Sequence, residues 1–382
     1  MRGRITLATY TVHFQPGNVT VQVPGGTLLV DAATQAGFSL NQPCGGQGRC
    51  GRCAVIVDPD RSAVRRRSTL RLSKEDVAAG YVLACQTVVE GDAWVEIPRQ
   101  EAIERRLVTH KAAARIEIPF AYDHTEHQSV QRYFLRLDPP DLSDQTDDWA
   151  RVVRGLAHEG VRGVEAGLPV LRTLGRVLRQ AEWEVTAVVS HGSWDRPDGP
   201  PRLLALLAGD QTGTNYGVAV DIGTTTVSVW LVDLLTGEVV AQAADYNGQI
   251  ARGEDVISRI IYASKGNNLA EMQSLVAGTI NKLVDAVCTQ AGTRPHQVMK
   301  ATIAGNTTMI HLLLAVPPEP IRLSPFVPVV NHVPVLRASE LGLNLHPEAE
   351  VDCLPGVASY VGADITAGVL STHMDEAEEL TL

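Results

Sequence analysis

Four cysteines, Cys44, Cys50, Cys53 and Cys85, fall within the first 85 residues of this 382-residue chain. Three of them lie in NQPCGGQGRCGRC (41–53) with the spacing C-x5-C-x2-C, and the fourth follows after a long gap. Thiolates are soft ligands suited to iron–sulfur clusters, zinc or copper(I). Zinc ribbons pair one C-x2-C with a second, and here such a pair occurs once. A [2Fe–2S] cluster takes a compact loop with three ligands and a distant fourth; the plant-type spacing is C-x4-C-x2-C…C, one residue shorter in its first gap. The spacing therefore favours a [2Fe–2S] cluster on these four thiols, with a structural zinc site as the alternative. Gly45, Gly46, Gly48 and Gly51 suit the same loop, because glycine reaches positive φ and lets backbone N–H groups approach the sulfides. Arg49 and Arg52 could steer an acidic partner and are read as solvated loop residues.

The elements that must position these thiols are legible around them. ITLATYTVHFQPGNVTVQVP reads as two strands joined at Pro16-Gly17-Asn18. Thr27 is the expected N-cap of a short helix ending at Gly37. CAVIVD is a strand, and Ser73 with Asp76 form a capping box for a second short helix that stops near Gly80. YVLACQT delivers Cys85, and AWVEIP is a closing strand, giving a domain over 1–98.

Composition bounds the rest. A chain of this length with 45% hydrophobic residues holds two or three domains. A net charge of −10 argues against a nucleic-acid partner. Its apolar runs are short for a membrane span, its start lacks the pattern of a secretion signal, and the crowded cysteines suit a reducing, cytoplasmic setting.

Residues 99–128 read as a linker, with His110, His124 and His127 as solvated side chains rather than a metal site. Residues 129–208 read as a small α/β module: a strand at QRYFLRL, a helix at DDWARVVRGL with Trp149, Val152, Val153 and Leu156 on one face, and a second helix at PVLRTLGRVLR with Val170, Leu171, Leu174, Val177 and Leu178 inward. From 214 onward NYGVAVDIGTTTVSVWLVDLLTGEVVAQAADYN reads as a three-strand meander whose first turn carries Asp221, Gly223, Thr224 and Thr225. Gly223 lets a phosphate approach the backbone, Thr224 and Thr225 can donate N–H and O–H groups to it, and Asp221 can hold magnesium through water. Asp255 starts a helix, NLAEMQSLVAGTINKLVDAVCTQAG (268–292) is a long helix, Cys288 is a core thiol, and AGNTTM and YVGADITAG are further glycine-rich turns.

With VDIGTTT, RGEDVISRI, AGNTTM and YVGADITAG behind a cysteine loop and LACQT, the chain resembles the reductive activators of corrinoid-dependent methyltransferases over essentially all its residues. The resemblance implies an α+β and α/β multidomain protein. Its parts would be a β-grasp [2Fe–2S] ferredoxin domain of the adrenodoxin and bacterial branch, a small α/β middle domain, and over 214–382 the first half of an actin/Hsp70/sugar-kinase-like (ribonuclease H-like) domain. It implies a [2Fe–2S] cluster, with ATP and Mg2+ as further ligands, and one electron passed to a corrinoid oxidised from Co(I) to Co(II). A corrinoid protein of a methyltransferase system and an upstream electron donor would be the partners. In the family a second DIGT-like loop follows the GAD segment; here the loop at Asp221 stands alone, and Ser359 stands where glycine is expected. The expectation is weak ATP binding by half a cleft and an apolar surface left exposed beside it. ATP hydrolysis stays open, as do a plain electron carrier and a non-catalytic docking protein.

Overall fold

A computed structural model describes residues 8–42, 44, 46–98, 121–192, 197–372 and 374. They group into two units. The first takes the described residues of Met1–Leu107 with Gly248–Met272 and Pro317–Arg322; the second takes those of Val108–Asn247, Gln273–Val316 and Leu323–Leu382.

In the first unit, alternation of apolar and polar residues gives β1 (Thr9–Gln15) and β2 (Val19–Pro24), an antiparallel pair. Their turn holds Gly17 and Asn18 at positive φ, 94° and 52°, as the Pro-Gly-Asn signal predicts. Helix α1 (Leu29–Gln35) buries Leu29, Val30, Ala32 and Ala33 in one core with Val12 and Phe14. The expected cap at Thr27 is not made. Leu28 occupies the N-cap position without a side-chain bond, while Thr27 Oγ1 donates to the Pro24 carbonyl at 2.7 Å and closes the preceding turn instead. β3 (Ala54–Val57), β4 (Val64–Arg66), α2 (Lys74–Ala78), β5 (Tyr81–Leu83), β6 (Thr87–Val89) and β7 (Ala93–Glu96) follow. The Ser73/Asp76 capping box of α2 is present in both directions, at 2.9 and 3.0 Å. The main sheet runs β2-β1-β7-β3-β5 with β1 and β7 parallel; β4 and β6 form a separate pair.

The second unit opens with α3 (His124–His127), then β8 (Val130–Arg136), α4 (Asp148–His158), β9 (Glu165–Ala166), α5 (Leu168–Gln180), β10 (Glu184–Ser190) and β11 (Arg202–Ala208). The sheet order is β8-β10-β11-β9, and α4 and α5 pack on one face through Val152, Leu156, Val170, Leu174 and Leu178. Two residues break the expected helical faces. Leu171 is exposed, and Arg151, on the inner face of α4, is 1% exposed. Its guanidinium is tied to Asp144 at 2.8 Å and to the Asp138 and Thr146 carbonyls at 3.0 and 3.1 Å, so it serves as the pin of the 138–146 loop. Arg151→Ala would leave those carbonyls without a donor and open a void, a loss on the order of 3 kcal/mol. A urea unfolding midpoint unchanged from the parent would show that the loop holds without the pin.

The other face of this sheet meets the larger one: Val130, Val188, Leu204 and Ala205 pack with Met299. That larger sheet is built from β12 (Tyr216–Ile222), β13 (Thr226–Asp233), β14 (Val239–Tyr246), β15 (Val298–Gly305), β16 (Leu336–Arg337) and β17 (Glu350–Cys353), in the order β14-β13-β12-β15-β17-β16. The first three strands are an antiparallel meander, and β12, β15 and β17 are parallel. Between β14 and β15 the chain forms α6 (Val256–Ala263) and the 23-residue α7 (Asn268–Gln290); Asp255 caps α6 by accepting from Ser258 N at 2.8 Å. α8 (Thr307–Leu313), α9 (Glu319–Arg322), α10 (Ala338–Leu341) and α11 (Ala363–Thr372) complete the described elements.

Candidate iron–sulfur and phosphate sites

Strand pairing sets the inner half of the cysteine site. Cys53 immediately precedes β3, whose Ala54 faces Leu83 of β5, and Cys85 sits in a tight 3-10 turn just beyond β5 rather than on a strand. Ala84 N donates to Cys53 O at 3.0 Å. These constraints bring Cys53 Sγ within 3.2 Å of Cys85 Sγ, both buried. The outer half is the loop itself: Cys50 Sγ lies 3.3 Å from Cys44 Sγ, and both are half-buried. The four sulfurs thus form two close pairs. Two pairs suit two metal atoms, each taking two thiolates, better than one tetrahedral zinc.

Within each pair one thiol donates to the other. The bond from Cys50 pulls Cys44 down to about 4, and the bond from Cys53 lowers Cys85; Cys50 and Cys53 are raised by the same bonds and by burial. A soft metal that takes all four as thiolates removes this unequal sharing.

The loop's backbone depends on its glycines. Gly46, Gly48 and Gly51 have φ of 79°, 71° and 77°. A Cβ on Gly48 would lie 2.7 Å from Gln86 Cγ, and Gln86 Nε2 donates to Gly46 O at 2.9 Å, so the loop is closed against the Cys85 turn. Gly48→Ala combines a left-handed backbone with that clash, together costing roughly 1–3 kcal/mol locally. The expected outcome is less iron per chain and faster bleaching in air; full iron content at parental stability would contradict it.

A further support comes from far along the chain. Gln42 N donates to Ala251 O at 2.7 Å, and the buried Arg252 donates to Leu40 O at 3.0 Å and Ser39 Oγ at 2.9 Å while pairing with Glu271 at 2.7 Å. RGEDVISRI therefore braces the lead-in to the cysteine loop, a role that local sequence signals do not carry.

The second cluster of sequence-predicted residues lies in the other unit. Asp221 and Ile222 end β12, in register with Ala304 and Gly305 at the end of the parallel β15. Gly223 N donates to Thr226 O at 2.9 Å, and Asn247 braces the turn from below, its Nδ2 donating to Gly223 O and its N to Thr225 O, both at 2.9 Å. Asn306 Nδ2 reaches Thr224 Oγ1 at 3.2 Å. A Cβ on Gly223 would sit 2.6 Å from Thr226 O, and one on Gly362 2.6 Å from Asn306 Cα, so three glycine turns converge at the carboxyl ends of parallel strands. Burial raises the Asp221 pKa, and Asp364 raises it further. Two carboxylates placed this way favour a cation or a proton between them. Asn247, Asn306 and Asp364 had no assigned role in the sequence, because only the fold brings them to the loop.

Ser359, at the expected glycine, is buried and its hydroxyl donates to Phe326 O. Val357, Tyr360, Ile365 and Leu370, in the segments on either side of Gly362, are exposed. His127 bonds the Asp123 backbone at the end of α3, and no gathering of histidines forms among the described residues; His110 lies outside them.

Three family models match the chain: the 2Fe-2S iron-sulfur cluster binding domain over 12–90, the RACo linker region over 124–213 and the RACo middle region over 216–377. The solved structure of a reductive activator for corrinoid, iron-sulfur protein is 36% identical and superposes over 98% of this chain with a TM-score of 0.60. The chain belongs to the RACo family. The corrinoid activation enzyme RamQ of Eubacterium limosum is 28% identical to this RACo-family chain over 367 residues, 95% of its length. The chain spans 55% of RamQ and 59% of the solved activator. A component of the Na(+)-translocating NADH-quinone reductase of Haemophilus influenzae is 32% identical over 80 residues, 21% of this chain and 20% of its own. No helix among the described residues is long and apolar enough to cross a membrane.

Proposed function

We propose that this RACo-family chain is a one-electron carrier that reduces a Co(II) corrinoid protein to Co(I), with Cys44 and Cys50 holding one iron of a [2Fe–2S] cluster and Cys53 and Cys85 the other. The observation that carries this reading is the pairing of the four sulfurs at 3.2 and 3.3 Å in a glycine loop closed on Gln86. Bound there, the cluster supplies a one-electron couple. The chain's own part is to fix the four thiolates, to keep the inner pair dry, and to leave the Cys44–Cys50 edge near the surface. The matches to RamQ and to the solved activator support a corrinoid protein as acceptor, with a separate protein as upstream donor. Six free thiols agree with a reducing, cytoplasmic setting.

Co(I) is a far stronger reductant than a typical [2Fe–2S] centre, and each 100 mV uphill costs about 2.3 kcal/mol for one electron. A ligand that binds two conformations differently can offset such a gap. The turn at Asp221, Gly223, Thr224 and Thr225, joined by Asn306 and Asp364, is the proposed phosphate and Mg2+ site. The meander followed by parallel strands supports reading 214–382 as half of an actin-like domain. The spans matched by the family models, 12–90, 124–213 and 216–377, support divisions at 1–98, 129–208 and 214–382, although the model described as the linker region covers the second of these rather than 99–128.

Anaerobic purification tests the first step: about two irons per chain are expected, with a spectrum that bleaches on one-electron reduction. A colourless, iron-free protein holding one zinc would end this reading. Mixing the reduced protein with a Co(II) corrinoid protein, with and without Mg-ATP, tests the second. Nucleotide-dependent formation of Co(I) is expected, and equal reduction without nucleotide would leave a plain electron carrier.

A further inference from the structure

The cysteine loop sits in a stretch whose charge opposes that of the chain. Residues 44–74 hold seven arginines and one lysine against two aspartates, in a protein of net charge −10. Arg61 lies 4.3 Å over the Trp94 ring, Arg65 is paired with Glu90, and Arg49 bonds the Gln47 side chain. Arg49, Arg52, Arg66, Arg67 and Arg71 are exposed, and the backbone ties them to the thiols. Arg49 precedes Cys50 and Arg52 precedes Cys53. Arg71 Nε donates to Arg49 O, and the Arg71 side chain packs 3.3 Å from the space a Cβ on Gly51 would take. Arg66 lies opposite Thr87, and Arg67 N donates to Gln86 O at 2.7 Å, one residue beyond Cys85. Leu70, between these groups in sequence, is 74% exposed. Of the acidic side chains within or near this stretch, Asp58 accepts from Asp60 N at 3.0 Å, Asp76 closes the capping box of α2 and Glu90 holds Arg65.

We infer that this arginine collar, with Leu70 within it, is the docking face for an acidic redox protein that donates the electron to the cysteine site. The inference rests on the one-electron reading above and adds the partner's chemistry and the surface it uses. Arg49, Arg52 and Arg71 lie by the loop that carries Cys44 and Cys50, the more exposed half of the site, and Arg66 and Arg67 lie by the turn that carries Cys85. A protein surface is favoured over nucleic acid because residues 44–74 contain no aromatic side chain, whereas single-stranded nucleic acid is held by stacking as well as charge. Opposite charges steer encounter and raise association rates by about 10- to 1,000-fold, an effect that salt removes.

The test uses the whole chain and an acidic flavodoxin as probe. Iron content and the visible spectrum first establish the cluster independently of any docking. Stopped-flow reduction of the cluster by flavodoxin hydroquinone is expected to slow about tenfold or more between ~20 and ~500 mM salt. R66E/R67E is expected to lose that advantage at low salt and to flatten the salt dependence, with the neutral R66Q/R67Q in between. Reduction by the small methyl viologen cation radical should not slow in either variant. Titration calorimetry with oxidised flavodoxin reads docking without any need for iron, so a failed docking face and a failed cluster are told apart. A salt-independent rate in the parent would overturn the proposal, as would a parental salt slope in R66E/R67E. If arginine removal moved only the cluster's potential, the collar would merely offset charge at the site, and the proposal would fall. An oligonucleotide that binds the collar more tightly than flavodoxin at equal salt would assign the face to nucleic acid and overturn it as well.

Discussion

Replacing Cys53 with serine is expected to give a folded chain that retains less than about a tenth of the parental iron and shows no one-electron-reducible signal. Cys53 is 1% exposed, is locked by the β3–β5 pairing and lies 3.2 Å from Cys85, so its sulfur has no alternative position from which to bind. Serine nearly preserves the volume and removes the soft ligand; its hydroxyl stays protonated where a thiol would ionise. Cys50→Ser, at the half-buried edge, is expected to be milder, since water can reach that side. The controls are Cys288→Ser and Cys353→Ser. These thiols are buried in the second unit, and burial pushes them up to about 11 and about 12, the mark of core residues rather than ligands. Iron per chain, measured beside the near-ultraviolet and visible spectra, decides the matter. Full iron in Cys53→Ser, or iron lost equally from Cys288→Ser, would show that the four thiols are not the ligand set.

The parts of this molecule visible in its sequence are those written in short-range chemistry. The C-x5-C-x2-C spacing with its glycines, the Pro16-Gly17-Asn18 turn, the Ser73/Asp76 box and the Asp255 cap each need only a few neighbouring residues, and each is found where the residue types place it. The misses have a common cause. Thr27 is a good cap by type, yet the carbonyl of Pro24 is nearer to its hydroxyl than any helical N–H. Helical periodicity counts apolar positions and so overlooks Arg151, a buried cation whose partners come from the loop before its helix. Arg252 braces residues 39 and 40 across more than 200 positions of sequence, and Gly362 meets Asn306 across more than 50; neither contact leaves a local trace. The turn proposed for phosphate could be read at Asp221, but its neighbours depend on the sheet: Asn247 arrives through the pairing of β13 with β14, and Asn306 through the parallel register of β12 and β15.

Asp221→Asn is expected to stabilise the second unit at neutral pH while weakening Mg-nucleotide binding about tenfold or more, the usual effect of losing a group that orients bound metal. The stability half follows from linkage. Burial raises the Asp221 pKa first and Asp364 raises it further, so the folded state holds the proton more tightly than the unfolded chain does. Above the raised folded value the parent folds at the cost of keeping a disfavoured charge, and asparagine removes that cost. As the pH falls through the raised folded value, the parent takes up its proton and the difference closes; below the unfolded value it is gone. Denaturation curves at pH 7 and at a pH near 4 therefore test the sign. Asp364→Asn relieves the same repulsion, and the double variant is expected to gain less than the sum of the two single gains. The binding half follows from geometry. In the proposed site Asp221 would stand beside a phosphate held at Gly223 and Thr224, and a magnesium ion arriving with nucleotide would neutralise the very pair whose repulsion costs stability in its absence. A variant less stable than the parent at pH 7 would mean that the Asp221 charge is already compensated within the fold. One that is more stable yet binds Mg-nucleotide as the parent does would move the phosphate site away from this turn.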